Sequence, residues 1–98
     1  MNPVVFTQAA REELIEAQDW YEHEVTGLGR RFREAIDAII QRTSQNPRQF
    51  PVVFKNVRRA LLRRFPYSLF FVIEEDGGVL VIACFHASRN PAHWRKKV

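Results

Sequence analysis

Apolar residues recur along this chain in two rhythms, and the change from one to the other divides it. Ala10, Leu14, Ala17, Tyr21 and Val25 are spaced by three and four, which predicts one buried stripe of an amphipathic helix. Leu28, Phe32, Ala35, Ile36, Ile39, Ile40 and Thr43 carry the same period onward. Gly27 and Gly29 mark a break between two helices. Thr7 is the expected N-cap, with Glu12 and Glu13 close to the positive end of the first helix. Pro47 disfavours helical geometry at Asn46 and so predicts the second helix's end. A connection this short predicts antiparallel helices with one wide apolar face.

Beyond residue 50 the period falls to two. Leu69–Ile73 and Val79–Phe85 flank a cluster of Asp76, Gly77 and Gly78, which predicts a β-hairpin. Regular alternation puts Leu69, Phe71 and Ile73 on one face and Phe70 and Val72 on the other. In the returning strand it sets Val79, Val81, Ala83 and Phe85 against Leu80, Ile82 and Cys84. Both faces are apolar, so both need cover. Val57–Arg64 reads as a third strand near an edge or a cleft, its apolar positions interleaved with Arg58, Arg59, Arg63 and Arg64. On that register Arg59, Leu61 and Arg63 share one face, and Arg58, Ala60, Leu62 and Arg64 the other. The four cations then cannot all serve one site. Phe65, Pro66 and Tyr67 mark the following turn. Val4–Phe6 is expected as a first, edge strand. Residues 47–56 read as a loop that packs down on the domain, with Val52–Phe54 short enough for a further edge strand. The class is α+β: an N-terminal strand, then an antiparallel helical hairpin packed on a mainly antiparallel sheet of about four strands, in a single domain over residues 1–98.

Charge sharpens this division. Residues 1–45 hold eight acidic and five basic side chains, a balance of −3, whereas residues 46–98 hold three and ten, a balance of +7. A basic sheet half favours an acidic or polyanionic partner on that side, against the plainer alternative of scattered solubilising charge. A hydrophobic content of 46 % argues against intrinsic disorder. No apolar run is long enough to span a membrane, and the first residues lack the charged start and apolar stretch of a signal peptide. Cys84, alone in an apolar run, excludes a disulfide within the chain and reads as a buried structural thiol. A reducing cytoplasm is the default location.

Several chemistries find no support. His23, His86 and His93 match no zinc spacing, and the glycines form no phosphate loop. A Cys84–His86 nucleophile pair is weak because Cys84 has apolar strand neighbours. Glu12, Glu13, Glu16, Asp19, Glu22 and Glu24 read as a solvated helix face. What remains is basic and aromatic: Arg58, Arg59, Arg63, Arg64, His86, Arg89, His93, Trp94, Arg95 and Lys96. Arginines bind phosphates bidentately, a tryptophan can stack on a base, and a histidine can move a proton near neutral pH. Metal-free RNA cleavage needs little more than a base, an acid and a cation on the phosphate. The plainer alternative is that His86 caps its strand by hydrogen bonding and Trp94 closes the core.

The order of elements, the NPRQFP loop, the VRRALLRRFPYSLFFVI stretch and the CFHASRNPAHW ending resemble the RelE/ParE family of bacterial type II toxins. The resemblance covers nearly the entire chain. It implies a cytoplasmic toxin with no cofactor, held in a hetero-oligomer by a cognate antitoxin that wraps its surface. RelE-like members cut messenger RNA in the ribosome with basic residues on the middle strands, an arginine directly after the turn tyrosine and a C-terminal tyrosine. Here Ser68 follows Tyr67, Ala87 follows His86, and the C-terminal aromatic is Trp94. ParE-like members lack that set, share the HASRNP ending and inhibit DNA gyrase by binding. The resemblance therefore implies a ParE-like gyrase inhibitor, with Arg58, Arg64, Trp94, Arg95 and Lys96 as candidate binders of target or nucleic acid. The alternative is a ribosome-dependent RNase using His86, Arg59, Arg63 and Arg89. A third reading is a degenerate member kept as an antitoxin-binding or DNA-regulatory partner.

Overall fold

In the computed structural model, which describes residues 2–98, helix α1 (Gln8–Glu24) begins where Thr7, in extended geometry, accepts the Ala10 N–H on its hydroxyl at 3.1 Å. Strand β1 (Val4–Phe6) precedes it. Ala10, Leu14, Ala17 and Tyr21 are buried as the stripe predicts, but Val25 is the extended C-cap and stands exposed. Glu12 and Glu13 lie past the first turn, which holds no acidic residue, so the helix dipole is not what positions them.

Helix α2 (Leu28–Gln45) starts from Gly27, whose φ of +88° suits glycine. Instead of a capping hydroxyl, Glu22 supplies the cap: its carboxylate accepts the N–H groups of Gly27 and Gly29 at 3.0–3.1 Å. Asn2 bonds Ser44 at the opposite end, so the two helices run antiparallel. Gly29 lets them meet, because a Cβ there would lie 2.8 Å from the Gln18 carbonyl oxygen and 2.8 Å from the Glu22 Cβ. Gly29→Ala is therefore expected to destabilise by about 2 kcal/mol despite alanine's better helix propensity, and urea unfolding measures it. An unchanged midpoint would mean that the helices can separate at no cost.

A short 3₁₀ turn (Pro47–Gln49) leads to β2 (Val52–Phe54), β3 (Val57–Leu61), β4 (Tyr67–Ile73), β5 (Val79–His86) and a final helical turn α3 (Ala92–Arg95). The strand order is β1-β5-β4-β3-β2, with β1 parallel to β5 and the other pairs antiparallel. The sheet thus has five strands where about four were expected, since Val52–Phe54 does pair on the edge of β3. Strand β3 ends at Leu61, not Arg64. The Leu62 N–H donates to the Tyr67 carbonyl to close the turn, Arg63 and Arg64 lie in that turn, and Arg64 has a φ of +67°. The predicted face assignment of Arg63 and Arg64 therefore fails.

A second correction concerns β5. Phe70 pairs with Ala83 but Phe71 with Val81, which leaves Ile82 as an extra residue in a β-bulge. Val79 and Val81 face α1 and α2 with Leu69 and Phe71. Beyond the bulge the phase is inverted: Cys84 joins them, and Ala83 and Phe85 lie on the far face with Ile82 and Phe70. Strict alternation had put Cys84 opposite Val79 and Val81. Two apolar layers result. Phe32, Ile36 and Leu14 cover one side, and Val57, Phe85 and Trp94 pack on the other. Trp94 stacks on Phe70 with ring centroids 4.3 Å apart. Among the described residues no helix is long and apolar enough to cross a membrane.

Candidate functional site

The arginines of β3 diverge because neighbouring residues of a strand point to opposite faces. Arg58 pairs opposite Phe71 on the helix side, and its guanidinium donates to the carbonyls of Phe50 at 2.7 Å and Arg48 at 3.3 Å. It is thereby committed to holding the 47–50 turn. Arg59 points to the far face, where it joins Ser68, Phe85, Arg89, Trp94 and Arg95 around a cleft of about 190 Å³. Among the described residues, no carboxylate lines this cleft. Arg95 lies 4.8 Å over the Phe54 ring and Arg89 5.2 Å over Phe85, so the charged heads are steered by aromatic faces. An arrangement of three guanidiniums without a counter-charge is suited to an anionic or carboxylate-rich partner.

The other candidates take different places. Trp94 is 5 % exposed and sandwiched against Phe70, with Phe54 edge-on at 5.9 Å, so its indole is core and not a platform for a base. Arg63 and Arg64 are exposed in the turn after β3, and Lys96 is exposed after α3. His86 ends β5 and lines both this cleft and a larger one on the helix side. Its ring meets Tyr67 edge-on at 5.2 Å. The Ser88 N–H donates to His86 Nδ1 at 3.0 Å, which leaves the proton of the neutral ring on Nε2. The Ser88 hydroxyl is also 2.8 Å from Nδ1. The basic nitrogen is thus engaged within its own turn.

Two residues escaped the sequence reading. Glu13 projects from α1 to the sheet, where Oε1 accepts the Cys84 N–H at 3.0 Å and Oε2 accepts Lys97 Nζ at 2.8 Å. Lys97 also donates to the Ile82 carbonyl at 3.1 Å. Strand β1 covers β5 only as far as Val81, and this pair occupies two of the backbone groups left open beyond it. Neither residue has a motif, and they stand 84 positions apart. Glu13 is therefore no part of a solvated face, and Cys84 does have a charged neighbour. Burial, reinforced by Glu13 and opposed by Lys97, pushes the Cys84 thiol up to about 12. A thiol so held is no nucleophile near neutral pH. Among the described residues, no three His, Cys, Asp or Glu side chains gather as metal ligands.

The five-stranded sheet with a helical hairpin on one face matches the fold of solved chains from ParDE and RelBE toxin-antitoxin systems. A chain of the chromosomal ParDE system from P. aeruginosa superposes with a TM-score of 0.66 at 20 % identity, over 90 % of this chain and 98 % of that one. The intact E. coli RelBE toxin-antitoxin complex contains a chain that matches at 0.67 and 18 % identity, over 91 % and 100 %. A chain of the RelBE2 complex from Mycobacterium tuberculosis matches at 0.60 and 21 %, over 87 % and 96 %. No curated protein sequence matches. The family described as ParE toxin of type II toxin-antitoxin system, parDE, matches residues 4–91. The chain belongs to this family.

Proposed function

We propose that this toxin arrests growth in the bacterial cytoplasm by binding DNA gyrase, with no reaction of its own, and that a cognate antitoxin neutralises it in a hetero-oligomer. The observation that carries this reading is the far-face cleft, where Arg59, Arg89 and Arg95 gather without a free general base. Such a surface can hold a target but has no ready group to take a proton from a 2′-hydroxyl. The match to ParE toxins supports the same branch. The similar ParDE and RelBE chains come from toxin-antitoxin systems, which supports the antitoxin partner.

A ribosome-dependent RNase is the second reading, favoured by one observation: Arg59, Arg89 and His86 line a single cleft. Arg63 would have to approach from the adjoining turn. Pulse induction of the chain in a bacterial host separates the two. Thymidine incorporation is expected to fall within minutes while methionine incorporation continues, and excess purified protein is expected to block gyrase supercoiling. His86→Ala is expected to retain arrest, whereas Arg59→Ala with Arg95→Ala is expected to lose it. Translation stopping first, together with a silent His86→Ala variant, would transfer the assignment to the RNase. No arrest at all would favour a degenerate, antitoxin-binding member.

A further inference from the structure

The C-terminal segment supplies two of the three cleft arginines, Arg89 and Arg95, yet it is fastened at the outer edge of β5 by residues that do not line that cleft. Glu13 reaches this edge from α1 on the helix side and Lys97 from the far side, and they meet with Nζ 2.8 Å from Oε2. The strand holds each of them as well. The Cys84 N–H donates to the second Glu13 oxygen at 3.0 Å, and Lys97 donates to the Ile82 carbonyl at 3.1 Å. The two side chains are only 22 % and 23 % exposed, so the pair is shielded where an ordinary surface ion pair is screened. The pairs Arg30–Glu34 and Arg33–Asp37 on α2, by contrast, are at least half exposed.

Between Arg89 and Lys97 the segment has little structure of its own. Helix α3 is four residues long, too short to hold its shape unaided, and its one buried side chain is Trp94. A single anchor fixes a point but leaves the segment free to pivot about it. The contacts beside Trp94 come from exposed residues: Arg95 lies 4.8 Å over the Phe54 ring, and His93 meets Phe85 at 6.2 Å. Lys97 adds the second fixed point. It also shares the Phe85 ring with Arg89, each cation 5.2 Å from the centroid, and Glu13 supplies the negative charge that lets two cations gather there. We propose that Glu13 and Lys97 form a latch between α1 and the C-terminal segment, with Lys97 as a positioning residue that sets Arg95 and Arg89 at the far-face cleft. The bearing on target binding rests on gyrase being held by that cleft; the latch itself does not.

The test uses the full chain, labelled with ¹⁵N, as Lys97→Met, Lys97→Arg and Glu13→Gln. Methionine keeps most of the apolar stem, and glutamine keeps an oxygen for the Cys84 N–H, so both variants are expected to fold. Backbone order parameters at Arg95 and Lys97 are expected at about 0.85 in the unaltered chain and below about 0.6 in Lys97→Met and Glu13→Gln. Those of β4 and Trp94 are expected to stay unchanged, and Lys97→Arg to stay close to the unaltered chain. Affinity for purified DNA gyrase is expected to fall in both latch variants, by about fivefold if the segment is seated about one-fifth of the time. The sign separates a latch from plain charge. Loss of a cation weakens attraction to an acidic partner and loss of an anion strengthens it, whereas a latch predicts weakening from either side. Tighter binding by Glu13→Gln, or order parameters unchanged in both variants, would overturn the proposal. If the unaltered chain does not bind gyrase, the proposed target fails, and the order parameters, which need no target, still decide the latch.

Discussion

Trp94→Ala is expected to lower stability by about 3–5 kcal/mol, a large share of the roughly 5–15 kcal/mol that holds a domain together. The indole is the largest side chain on the far face, and it stacks on Phe70 beside Phe54 and Phe85. Its removal opens a cavity that a four-residue helix cannot close, because the indole is the one side chain of α3 buried against the sheet, while Arg95 and His93 only flank it on Phe54 and Phe85. Trp94→Phe keeps most of the apolar contact and is expected to cost less than half as much. Urea unfolding of both variants measures the difference. A loss below about 1 kcal/mol for alanine would show that the far face tolerates exposure. Growth arrest by Trp94→Phe is expected to survive, since the ring offers no free face to a target.

The second large effect is a dependence on alkaline pH. The Cys84 thiol ionises near 9.0 when unperturbed and is pushed up to about 12 in the fold, first by burial and then by Glu13. The folded-state value lies above the unfolded one, so this contribution is complete below about pH 9 and is lost as pH rises toward about 12. Over that window the unfolded chain has released a proton that the folded chain still holds. At about 1.4 kcal/mol per pH unit the loss amounts to roughly 4 kcal/mol. Tyr21 and Tyr67 are also raised by burial and act in the same direction at the upper end. Stability followed across this range in wild type and Cys84→Ala isolates the thiol, and the variant is expected to show a distinctly shallower decline. Parallel curves would mean that water reaches the thiol.

The helices were legible because their information is local. A stripe repeating every three to four residues states which side is buried, and Thr7, Gly27 and Pro47 mark the ends within one turn. The hairpin was legible for the same reason. What escaped notice depends on partners distant in the chain. Nothing in VLVIACFH distinguishes a regular strand from one with a bulge at Ile82, because the bulge exists only relative to β4. That one insertion turns Cys84 toward the helices. Glu13 and Lys97 resemble any other surface charges until the fold brings them within 2.8 Å. The candidate site was legible as a composition but not as a place. Arg58 and Arg59 are neighbours in sequence and opposite in space, one bound to backbone carbonyls and the other lining a cleft. Trp94 carried two readings, stacking surface and core, and burial on Phe70 supports the second.

The strand order has a bearing on how the chain acquires its shape. Among the described strands β1 comes earliest in the chain, yet it pairs with β5, which comes latest. Helices α1 and α2 can coil early, but the apolar floor they cover is laid down by β4 and β5. Long-range closure of this kind is slow, since the entropy of a large loop must be lost before contacts repay it. During synthesis the helical hairpin therefore waits with its apolar stripe bare. A nascent copy is in that interval an open hairpin in search of a sheet, and the cationic cleft on the far face does not yet exist.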